Sequence, residues 1–201
     1  MAKAEWLIVS PESGTGSGQI SFSSAPYMGR EQRTTQATVE ASGAEPQVVS
    51  VTQEAHDEFV SVDEVTKSIS NEGGEVVITG TSNSTILTFA LGTGTIEITI
   101  PETYKVNTDV DTNNGEAVPG DPGASDQYTF SLTLTVPANA TVEEVTREVT
   151  VTDNASNSQT VTITQTASAA TLSLSTNEVT LNANGDAVQV DVFSNTSWTV
   201  S

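Results

Sequence analysis

Cysteine is absent from the chain and histidine occurs once, at His56. The first absence excludes disulfides, thiolate nucleophiles and Cys-ligated metals, and the second removes multi-His metal sites and most acid–base relays. Basic residues are nearly as scarce: 6 Lys+Arg stand against 26 Asp+Glu in 201 residues, a formal net charge of −20. A surface this negative repels phosphate backbones and anionic lipid, so neither nucleic acid nor a membrane surface is expected as a partner. Long apolar runs are missing too. The opening MAKAEWLIVSPESG carries one Lys and an apolar run, Trp6 to Val9, too short for a signal-peptide core. No stretch approaches the roughly 20 apolar residues that cross a bilayer. The expectation is a soluble protein that is not secreted by a signal peptide.

What the chain does have is alternation. In YTFSLTLTV, Phe130, Leu132, Leu134 and Val136 point one way and Thr129, Ser131, Thr133 and Thr135 the other, the pattern of a strand with one buried face. EVTVT repeats it with Val149 and Val151, QTVTITQ with Val161 and Ile163, and DAVQVDV with Val188, Val190 and Val192. Clusters such as SGTGSG, NEGG and NANGD, and the stretch Asn113 to Glu116, separate these runs as turns. No segment sustains a 3.6-residue period, so the fold class is all-β, built from sandwiches.

The chain also matches itself, without gaps, at an offset of 112 residues. Val60, Val62, Ile69, Gly73, Val76, Ile78, Asn83 and Ile86 fall on Leu172, Leu174, Leu181, Gly185, Val188, Val190, Asn195 and Trp198. Ile20, Phe22, Ala37, Val39, Val49, Val51 and Gln53 fall on Leu132, Leu134, Val149, Val151, Val161, Ile163 and Gln165. Residues 57–167 therefore read as one complete sandwich with a long acidic loop at 102–127. Residues 1–56 hold only the back half of the pattern and 168–201 only the front half. The two halves sum to 90 residues, a normal size for one such domain.

The N-terminal half, with Trp6, Val9, Ser10, Pro11, Gly14 and Gly16 and the closing Val51-Thr52-Gln53, resembles the BACON domain, an immunoglobulin-like β-sandwich family common in Bacteroidetes. The C-terminal half, with its turn at Asn184-Gly185 and Trp198, resembles the opening of the same domain. The middle unit keeps the opening and an Ile163-Thr164-Gln165 ending but has Ile86 and Ile96 where the family has Trp. The family name implies carbohydrate association. Such domains also occur in virion proteins of crAss-like phages of Bacteroidales, which assemble in the host cytoplasm and need no export signal.

A half-sandwich leaves a raw sheet edge and an open core, both costly in water. Three arrangements fit: the half at 168–201 completes residues 1–56 of a neighbouring chain, head to tail; the chain folds back on itself; or the C-terminal unit is truncated. Among candidate sites, Asp109, Asp111 and Asn113 have the alternate spacing that starts an EF-hand calcium loop. Their Gly115 comes one position late and no Glu follows at the twelfth place, so a solvated acidic loop is the alternative. Tyr27, Tyr104 and Phe193 are the rings left over for stacking on a glycan once Trp6, Trp198, Phe22, Phe59, Phe89 and Phe130 are assigned to core faces. Otherwise they pack in cores or loops. His56, at the junction of two units, reads as a hinge residue, and no nucleophile elbow accompanies it. No catalytic residue is assigned, and no cofactor beyond calcium is suggested.

The resulting expectation is a non-enzymatic structural protein: an auxiliary or decoration protein on a virion surface, meeting the major capsid protein or another virion protein and linked to its own copies through shared half-domains. The alternative is a carbohydrate-binding module for glycan or mucin on a Bacteroidetes surface protein.

Overall fold

The computed structural model describes residues 3–201 and is all-β. In chain order the strands are β1 (Ile8–Ser10), β2 (Ser21–Ser23), β3 (Arg33–Val39), β4 (Gln47–Gln53), β5 (Val60–Val62), β6 (Thr66–Ile69), β7 (Gly74–Ser82), β8 (Leu87–Gly94), β9 (Thr103–Val106), β10 (Val110–Asn113), β11 (Tyr128–Val136), β12 (Val145–Asp153), β13 (Ser158–Gln165), β14 (Leu172–Leu174) and β15 (Val192–Ser194).

Two larger sheets lie between Val60 and Gln165. One has the order β10-β9-β11-β7-β5 and the other β6-β13-β12-β8. Their facing side chains form one cluster, because β11, β12 and β13 alternate as their sequences do. Leu132, Leu134, Val161 and Ile163 are wholly buried, and each contributes about 2–3 kcal/mol of burial. On β11 the long side chain of Phe130 faces Gly80 of β7. A Cβ there would come within 2.6 Å of the Phe130 ring, so glycine makes the space that the aromatic fills.

The internal repeat is present in three dimensions. Hairpin β3–β4 aligns Arg33 with Gln53 and Val39 with Gln47. Hairpin β12–β13 aligns Val145 with Gln165 and Val151 with Gln159, each residue displaced by the same 112 positions. Val60 pairs with Ser82 and Val62 with Gly80, just as Leu172 pairs with Ser194 and Leu174 with Val192. Even the turn glycines agree, Gly73 and Gly185 having left-handed φ values of 76° and 74°.

Three expectations change. The stretch at 102–127 is not simply an acidic loop. Thr103–Val106 and Val110–Asn113 form a hairpin that widens the five-stranded sheet, followed by a 3-10 turn at Pro122–Ala124. In DAVQVDV, only Val192 belongs to a strand, and Val188 is 52% exposed. A strand needs a ladder, and in the middle unit the residue aligned with Val188, Val76 of β7, is paired by β11; residues 168–201 contain no counterpart of β11. Trp198 is 51% exposed rather than turned into a core.

Candidate interaction surfaces

The most elaborate polar site lies where the N-terminal unit meets the central sandwich. Asn83 follows β7 and is completely buried. Its Oδ1 accepts from the Phe59 amide at 3.0 Å, and its Nδ2 donates to the Met28 carbonyl at 2.9 Å and to the Asp57 carbonyl at 3.1 Å. One side chain thus ties both units and the linker between them. Arg30 adds a clamp. Its Nε donates to the Asn83 carbonyl at 2.6 Å and lies 3.6 Å from the Glu58 carboxylate, while its Nη2 meets Asp121. Backbone bonds continue the seam, from the Arg30 amide to Gly123 O at 2.9 Å and from the Glu31 amide to Ala124 O at 3.0 Å. Gly29 and Gly123 lie so close to the opposing backbone that neither has room for a Cβ.

A second joint repeats the first. Asn195 Oδ1 accepts from the Thr171 amide at 2.8 Å, and its Nδ2 donates to Ala140 O at 3.2 Å and Ala169 O at 2.9 Å. Thr171, Ala140 and Ala169 are Phe59, Met28 and Asp57 moved on by 112 positions. Ser82 and Ser194 match as well, each donating to the carbonyl of the residue before the first strand, Phe59 at 2.6 Å and Thr171 at 2.8 Å. The repetition of Asn83 at Asn195 is visible in the sequence, whereas Arg30, Glu58 and Asp121 carry no periodic signal. We expect Arg30→Ala to lower the stability of the first joint by about 2–3 kcal/mol, since it removes charge-assisted bonds and leaves the largely buried Glu58 without its cation. Limited proteolysis near His56 should speed up while the core of the central sandwich keeps its protection.

The stacking candidates are not brought together. Tyr104 is only 2% exposed, so it packs in the core, the alternative to a free stacking ring. It alternates inward with Val106 on β9 and packs 5.1 Å from the Phe89 ring. Tyr27 belongs to the joint. Its hydroxyl donates to Glu31 O at 2.7 Å, and its ring lies 4.2 Å from the Arg33 guanidinium, which also covers Trp6 at 4.7 Å. Phe193 remains exposed on β15.

Asp109 sits at the tip of the β9–β10 hairpin, and Asp111 and Asn113 lie along β10, where an extended strand sets them in a row rather than around a centre. The Asp111 carboxylate pairs with Lys105 at 2.7 Å. Among the described residues, no three His, Cys, Asp or Glu side chains converge as a metal site would need. His56 is exposed, with Nδ1 at 2.7 Å from Asp57 O and its ring edge-on to Phe59 at 5.3 Å. Among the described residues, no helix is long and apolar enough to cross a membrane.

The fold defines the class: an all-β protein with a β-sandwich at its centre. Residues 1–54 match the family model of BACON, described as a putative binding domain, N-terminal. No curated protein matches the chain.

Proposed function

We propose that the protein is a non-enzymatic structural protein that works through its β-sandwich surfaces, as an auxiliary protein decorating a virion surface after assembly in the host cytoplasm. The reading is carried by the duplicated joint: the same Asn-centred bonds set both flanking units against the central one. Such a fixed series of surfaces suits contact with a large, repetitive partner such as a major capsid protein. The net charge of −20 keeps decorated particles apart in solution.

A second reading, glycan binding, is favoured by the match of residues 1–54 to a binding domain and by Phe193, which is 58% exposed. One experiment weighs both. The protein is offered to purified Bacteroidales phage capsids and to immobilised mucin glycans, alongside Phe193→Ala. Saturable retention on capsids, equal for both proteins, supports the structural role. Retention on mucin that falls at least tenfold in Phe193→Ala supports the glycan role and sinks the first.

A further inference from the structure

Each flanking unit exposes an apolar face that is buried in the central sandwich. Ile20 is 42% exposed where its counterpart Leu132 is 0%, and Val188 is 52% exposed where Val76 is 6%. The N-terminal unit holds an open groove lined by Trp6, Leu7, Phe22, Val51 and Gln53. Its hydrogen bonding is also one partner short. Gln165 Nε2 donates to Pro137 O at 2.8 Å and to Ser70 O at 3.2 Å. The equivalent Gln53 Nε2 donates to Ala25 O at 2.9 Å, the counterpart of Pro137. The counterpart of Ser70 is Asn182, in the C-terminal unit.

We propose that residues 168–201 of one copy of this chain close the N-terminal half-sandwich of a second copy, filling that groove and giving Gln53 the carbonyl of Asn182. The central sandwich supplies the register. Thr133 faces Val77 and Leu134 faces Val76 across β11–β7, so Ser21 faces Gln189 and Phe22 faces Val188 between copies. Thr162 to Gln165 run parallel to Thr66 to Ile69, so Ser50 to Gln53 run parallel to Glu178 to Leu181.

Within one copy the two halves do not close on each other, because they sit at opposite ends of the central sandwich. Strand β7 runs from Gly74, beside the turn at Asn71 that meets Asn139, to Ser82 and the Asn83 joint. Its nine residues cover about 30 Å. The C-terminal half is held at the first end, through Asn195 and Ala140, and the N-terminal half at the second, through Asn83 and Met28. Such a contact joins two different surfaces, so it propagates from copy to copy. It goes beyond the decorating role and is separable from it, since a monomer could still hold a capsid or a glycan.

The absence of cysteine makes the test direct. Ser21 and Gln189 are both exposed, so S21C/Q189C in the full-length chain leaves each half intact. Facing residues of an antiparallel pair lie within disulfide reach. Under a glutathione redox buffer, the expected result is a ladder of disulfide-linked multiples of 20.9 kDa that collapses on reduction. An equimolar mixture of the two single variants should give heterodimers. In the unmodified protein, the mass from light scattering should rise with concentration, and rise further with salt, as screening relieves repulsion between copies. A monomer closed by its own disulfide would overturn the proposal in favour of fold-back. Free thiols throughout, or an equal ladder from the register-shifted S21C/D191C, would overturn it too.

Discussion

Asn83→Ala is expected to cost about 3–5 kcal/mol. The side chain is fully buried and serves three backbone groups at once. Alanine fills little of its volume and takes their partner from the Phe59 amide and the carbonyls of Met28 and Asp57, in a part-buried seam. Each such orphan costs about 1–3 kcal/mol, partly recovered by relaxation. Asn195→Ala removes the same three bonds from an exposed joint, where water replaces them, and should cost about 1 kcal/mol or less. Urea unfolding of both variants, followed by circular dichroism, measures the contrast. Equal losses would mean that burial does not govern the joint.

The second large effect is alkaline. Burial pushes the Tyr128 phenol from 10.0 up to about 12, although the nearby Ser82 hydroxyl and Arg30 act in the opposite direction. Burial raises Tyr104 as well, and proximity to Tyr128 adds to that rise. The unfolded chain releases these protons near pH 10, so above that pH it binds fewer than the folded chain and stability falls as pH rises. Below pH 10 both states hold the protons and the contribution is complete. Between pH 10 and pH 12, Tyr128 alone should remove about 3 kcal/mol. Tyr128→Phe should flatten that limb of the pH profile while costing about 1 kcal/mol at neutral pH, because the phenol donates to Ser84 O at 2.8 Å. Urea midpoints collected from pH 8 to pH 12 would show it, and an unchanged slope in Tyr128→Phe would remove Tyr128 as the cause.

Much of the fold was legible because alternation and repetition are local properties of a sequence. Phe130, Leu132, Leu134 and Val136 face the core as their spacing requires, and the 112-residue offset foretold that β3–β4 and β12–β13 would share a register. The hairpin at β9–β10 was harder to see. Its strands are four residues each, with a turn of Asn107 and Thr108 at positive φ, and the acidic residues around it mimic a solvated loop. Tyr104 and Val106 do alternate inward there, a signal too short to stand alone. For Val188 and Trp198, periodicity names the face that wants burial but not what covers it, and within this chain that face stays open. The Arg30 clamp joins residues 28, 53 and 91 positions apart, and only the folded chain brings them together.

The joint recognises main-chain atoms on the neighbouring unit. Asn83 reads the carbonyl of a methionine, and Asn195 reads that of an alanine. Neither asparagine places a demand on the side chain it meets. An array assembled this way can let its units drift in sequence, lose a tryptophan or gain a hairpin, and still stack in the same way. Units could be added, deleted or exchanged during evolution while an asparagine in each keeps the shared part of the docking.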